Sequence, residues 1–192
     1  TEGKLGLIER LVQAGVQSVE ATSFVSPKAV PQMADAAEVV AGTQQRFADL
    51  RTSVLVPNLK GLERAHAAGA REIAVVLSAT ETMNRKNINM GLDEATEVSE
   101  QTLQAARALG LKTRAYVAVA FECPFEGVTP LDRVVELSKR MHAAQADEIV
   151  IAEVEPARRL GAPRARVVER VGRVGEAKSV SMISIAEHHI PF

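Results

Sequence analysis

Cysteine occurs once in the 192 residues, at Cys123. No disulfide can form within the chain, and a reducing, cytoplasmic setting is the natural expectation. Tryptophan is absent and aromatic residues make up only 3%. Ala, Val and Leu must therefore fill the interior, which suits helices packed on parallel strands. No apolar run approaches the roughly 20 residues needed to cross a bilayer, so no membrane partner is expected. The opening Thr1-Glu2-Gly3-Lys4 lacks the charged and apolar regions of a signal peptide. Neither sign of charge dominates: 23 Lys and Arg against 24 Asp and Glu give a net charge of −1. That balance gives no reason to expect a nucleic-acid partner. A Gly-rich phosphate loop and a Ser nucleophile elbow are also missing.

What is present is alternation. Hydrophobic residues make up 46% of the chain, enough for one globular domain. Leu5, Ile8, Leu11 and Val12 recur at helical spacing, and Gly15 supplies a stop. The spacing then predicts strands over Ser18 to Phe24, Arg51 to Val56, Glu72 to Ser78, Lys112 to Ala120 and Glu148 to Ala152. Between them it predicts helices over Pro31 to Ala41, Leu59 to Ala68, Asp93 to Leu109 and Leu131 to Ala144. Unbroken apolar runs such as Glu72 to Ser78 suit strands covered on both faces. Strand–helix alternation of this kind argues for a parallel sheet with helices outside. After Glu153 the texture changes. Val167 to Val171 is expected to be helical, and Ser179 to Ile185 is a candidate sixth strand. Periodicity alone leaves open a doubly wound sheet or part of a barrel.

In either fold, ligands gather at the C-terminal ends of the strands. Glu20 stands out there as a carboxylate inside an apolar strand. Burial would demand a cation or several donors, in a catalytic site or in a structural ion pair; the alternative is a strand residue that faces the surface. Asn84 to Asn89 puts two cations and three carboxamides on one loop. That loop can hold a phosphate, a carboxylate or a polar acyl chain, or simply face water. Cys123 has no His near it in sequence and reads as a small buried residue. The Tyr116 hydroxyl should find a partner in mid-strand. His66 and His142 lie on helices. The adjacent pair His188 and His189 would face opposite ways in a strand, a poor metal site.

Five stretches, taken in order, carry a resemblance: VEATSFVSPKAVPQMAD from Val19, LVPNLKGLERAHAAGAREIAV from Leu55, NRKNINMG from Asn84, TRAYVAVAFECPFEG from Thr113 and DEIVIAE from Asp147. Together they resemble the hydroxymethylglutaryl-CoA lyase family over residues 1 to 153, with a divergent tail over 154 to 192. The resemblance implies α/β architecture: one incomplete (β/α)8 TIM barrel domain, strands two to six and a candidate seventh. It implies a carbon–carbon lyase that cleaves 3-hydroxy-3-methylglutaryl-CoA to acetoacetate and acetyl-CoA with Mg2+ or Mn2+. The implied partner is an acyl-CoA, and a homo-oligomer is left open.

By the same resemblance, Glu20 matches the glutamate that orients the catalytic Arg and supports the metal site. Ser23 matches a serine near the thioester, Lys86 and Asn87 a loop approaching CoA, and Tyr116 a tyrosine in the barrel mouth. Cys123 matches a cysteine other than the catalytic one. Glu153 falls where the family has the Asp of a D-T-I-G turn, here followed by Val154-Glu155-Pro156. The family's Arg-Asp-Gly strand, His-x-His ligands, Asn ligand and Gly-Gly-Cys-Pro loop have no counterpart. The expectation is a chain truncated at both ends, without recognisable metal ligands and inactive alone. The alternatives are an acyl-CoA-binding remnant or a barrel fragment that needs a partner chain.

Overall fold

The computed structural model describes residues 1–154 and 165–173. The chain opens with α1 (Glu2–Gln13), followed by β1 (Ser18–Ser23), a 3-10 turn (Pro31–Met33) and α2 (Ala36–Arg46). Next come β2 (Arg51–Leu55), α3 (Leu59–Ala67), β3 (Glu72–Ser78), α4 (Glu81–Ile88), α5 (Leu92–Ala108) and β4 (Lys112–Ala118). A short hairpin, β5 (Glu122–Cys123) and β6 (Gly127–Val128), precedes α6 (Leu131–Ala143), β7 (Glu148–Val154) and β8 (Ala165–Arg173).

The main sheet runs in the order β1-β2-β3-β4-β7-β8, and the hairpin stands apart. Strands β1, β2, β3, β4 and β7 pair in parallel. This is the open, curved wall of part of a TIM barrel, and among the described residues it does not close. Its outer face carries the core. Ile73, Val75 and Leu77 of β3 and Ala115 and Val117 of β4 pack with Leu62, Leu103, Leu137 and Met141 from the helices. Each fully buried aliphatic side chain of this kind contributes about 1.5–3 kcal/mol. Period-2 alternation sends the intervening residues to the inner face.

Local chemistry sets the boundaries. Asn58 caps α3, its side chain accepting the Gly61 N–H at 3.0 Å. Gly69 and Gly110 follow α3 and α5 with φ of 82° and 73°, where a Cβ would clash with the backbone. The helix predicted from Pro31 starts later: Pro31–Met33 is a 3-10 turn and α2 begins at Ala36. The expected helix at Val167 to Val171 is instead part of β8, antiparallel to β7. Paired Val residues favour the pleated conformation, and the edge of β7 supplies the ladder. The candidate strand at Ser179 to Ile185 and the pair His188 and His189 lie outside the described residues.

Candidate active site

The bulge in β1 decides which residues face inward. Glu20 pairs with Ser53 and Ser23 with Leu55, and the register slips between Glu20 and Thr22. Strict alternation would put residues three apart on opposite faces. The slip brings Glu20 and Ser23 to the same one. That is the inner face, because the Tyr116 hydroxyl of β4 reaches Glu20 Oε2 at 3.4 Å across it.

Beneath this pair lies a floor of four charges. Arg51, at the start of β2, donates to both carboxylate oxygens of Glu72 at 2.8 and 2.9 Å, and to Glu148 at 3.0 Å. Arg114 of β4 donates through Nε to Glu148 at 2.8 Å and lies 3.5 Å from Glu72. Two guanidinium groups and two carboxylates thus neutralise one another. Glu72 and Glu148 are buried, with 4% and 6% of their surface exposed. Burial alone would raise the Glu148 pKa, but hydrogen bonds and charge from Arg114 and Arg51 leave it lowered. Arg114 also donates to the Tyr116 hydroxyl at 3.2 Å.

Of the readings open to it, Glu20 takes a water-facing one: it keeps broad contact with water on the open side of the sheet. The protein walls still remove enough water to raise its pKa, against the charge of Arg114 and the Tyr116 hydrogen bond. Surface contact and desolvation describe different sides of the same carboxyl group. Tyr116 is half-buried, and desolvation raises its phenol as well. Ser23 is buried with its Oγ unpartnered, as is the neighbouring Ser53.

The segment Asn84 to Asn89, expected as a loop, is largely α4. Asn84 is structural. Its amide donates to the Ser78 and Thr80 carbonyls at 2.7 and 3.0 Å, and its oxygen accepts the Ser78 N–H at 2.9 Å. Lys86 and Asn87 are exposed on α4, and the Lys86 ammonium sits 4.9 Å over the Phe125 ring. They share the C-terminal rim with the site but record no contact with Glu20 or Tyr116. Cys123 is buried and accepts the Thr80 hydroxyl at 3.1 Å, in keeping with a packing role. Glu153 lies on β7, paired with Arg166. Sequence reasoning missed Arg114, Arg51, Glu72 and Glu148. Their signal was a charged residue at or near the start of four strands.

Among the described residues the inner face offers no ligand set for a divalent metal: no group of three or more His, Cys, Asp or Glu side chains could hold an ion. Glu72 and Glu148 are already engaged by arginine. A cleft of about 580 Å3, lined in part by Phe47, Leu50, Arg71 and Lys112, opens below the floor at the opposite end of the strands.

A curved parallel wall with outer helices and polar groups on its inner face defines part of a (β/α)8 enzyme barrel. The HMGL-like family model matches residues 1–172, and the chain belongs to that family. Mitochondrial hydroxymethylglutaryl-CoA lyase of Bos taurus is 44% identical over 153 residues, covering 80% of this chain and 47% of the relative. The cytoplasmic 3-hydroxy-3-methylglutaryl-CoA lyase of Rattus norvegicus is also 44% identical, covering 80% and 44%. The crystal structure of the Brucella melitensis HMG-CoA lyase aligns with a TM-score of 0.72 at 42% identity, over 78% of this chain and 53% of that one. An Acinetobacter baumannii HMG-CoA lyase in complex with coenzyme A and 3-methylmalate aligns at 0.71 and 34% identity, over 77% and 48%. The chain thus spans about half the length of the relatives it matches. No helix among the described residues is long and apolar enough to cross a membrane.

Proposed function

We propose that the inner face is the acyl-CoA side of a hydroxymethylglutaryl-CoA lyase site, and that the chain alone holds the acyl-CoA without cleaving it. In this reading Glu20 is the carboxylate that orients a cationic catalytic group. Tyr116 and Ser23 face the acyl portion, and the free Ser23 hydroxyl supplies a hydrogen bond to it. Lys86 and Asn87 on the rim meet the CoA, and Glu153 supplies a second carboxylate at the end of β7. Cytoplasmic placement belongs to the same proposal: the similar proteins include cytoplasmic and mitochondrial forms.

The observation that carries this reading is the disposition of charge. The family reaction removes the proton of the tertiary hydroxyl, breaks the carbon–carbon bond and leaves an acetyl-CoA enolate to be protonated. That negative charge needs a cation. Both inner-face arginines are held by Glu72 and Glu148, so the departure of either would leave two buried carboxylates to share one cation. The test is acetoacetate release from 3-hydroxy-3-methylglutaryl-CoA by concentrated pure chain with Mg2+ or Mn2+. No release above background is expected, and turnover proportional to chain concentration would overturn the inactive reading.

A further inference from the structure

We propose that Arg114 and Tyr116 form a positioning relay that fixes the orientation and proton affinity of Glu20. This rests on the reading of Glu20 as the carboxylate of the site. The relay has a direction. Arg114 is clamped from below by Glu148, to which it donates through both Nε and Nη2 at 2.8 and 2.7 Å. Its remaining terminal nitrogen, Nη1, points up to the Tyr116 oxygen at 3.2 Å. A phenol that accepts from a guanidinium must turn its own O–H elsewhere. Glu20 Oε2 is the acceptor, at 3.4 Å.

The guanidinium carbon also lies 5.9 Å from the centre of the Tyr116 ring, so cation and ring are held as one unit. Arg114 is only 11% exposed at its side chain, which fixes the base of the relay. Glu20, at the tip, is open to water. The gradient from rigid base to open tip is what a positioning device requires: orientation comes from below, and access from above.

Lys112, two residues before Arg114 on β4, lines the cleft below the floor. Arg51 of β2 and Glu72 of β3 close the floor with Glu148 of β7. Helix α2 packs on the opposite face of β1 through Ala36 and Val40. Among the described residues, Glu20 therefore meets positive charge through Arg114, with Tyr116 between them. The arrangement predicts that the phenol hydrogen bond strengthens when Glu20 ionises and weakens when it is protonated.

The composition supplies a reporter. Tyr116 is the only tyrosine, and there is no tryptophan, so near-ultraviolet emission of the full chain comes from this one phenol. The experiment is a titration of tyrosine fluorescence across the acid range, on the wild-type chain and on Glu20→Gln and Arg114→Lys. The wild type is expected to show one quenching step as Glu20 ionises, centred above the ordinary glutamate value. Glu20→Gln should abolish the step, and Arg114→Lys should move its midpoint. A step that persists in Glu20→Gln, or a flat wild-type curve, would overturn the relay. An unshifted midpoint in Arg114→Lys would remove Arg114 from it.

Where Arg114→Lys does not fold, the tyrosinate absorbance band decides the matter at alkaline pH. The carboxylate of Glu20 helps hold the phenol pKa up, so Glu20→Gln should lower it, and no change would contradict the contact. Neither readout needs turnover. A lyase site that fails with the step intact rejects the functional reading and leaves the relay standing.

Discussion

Glu20 and Glu148 are both glutamates on the inner face, yet their environments push them in opposite directions. Glu20 has its folded-state pKa raised above its unfolded value. Its contribution to stability is full below the unfolded pKa and is lost as pH rises through the folded pKa, so at neutral pH its charge is a net cost. Glu20→Gln should therefore raise the urea midpoint at pH 7. The gain should vanish below about pH 4, near the ordinary glutamate pKa. Glu148 is lowered by its two arginines. Its contribution is present above the unfolded pKa and is lost as pH falls through the folded one. Glu148→Gln should cost about 3 kcal/mol in urea unfolding at neutral pH. This is the low end for a broken buried pair, because Arg51 stays one-third open to water. Equal effects of the two substitutions at pH 7 would refute the assignment of floor and site.

The elements show where local chemistry governs and where it is overruled. Helix α3 starts on an Asn58 cap, so Asn58→Ala should cost about 1 kcal/mol by chemical denaturation. A change within error would mean that packing against β1 and β2 sets this terminus. Strand β3 was legible because a continuous apolar run between helical stretches has few other solutions in a parallel fold, and β2 and β4 because short β-rich segments recur between helical stretches. The helix α4 was not. Its two asparagines, with Asn89 at the C-cap, favour turns in isolation, but Asn84 commits its amide to the β3–α4 turn and thereby stabilises the helix start. Strand β8 was misread for a related reason: a short Val-rich run fits helix or strand, and tertiary pairing with β7 decides. The bulge in β1 has no sequence signal strong enough to find it, yet it places Ser23 beside Glu20.

At the scale of the whole molecule, the outer core and the inner face answer different demands. The outer face holds the helices through close-packed aliphatic contacts, which the composition already implied. The inner face stacks a neutral ionic floor, then the Tyr116–Glu20 pair, with Lys86 and Asn87 out on the rim. The family resemblance named Glu20, Ser23, Lys86, Asn87, Tyr116 and Glu153 at the sequence level. The floor beneath them emerged only from strand register, because Arg51 and Glu148 lie 97 residues apart. In the proposed function this chain, about half the length of its lyase relatives, holds an acyl-CoA and does not cleave it. Titration calorimetry of the full chain with 3-hydroxy-3-methylglutaryl-CoA tests it most directly. The account predicts saturable heat from one site per chain, diminished by Ser23→Ala and with no acetoacetate formed. A flat titration, or heat that continues with product release, would contradict it.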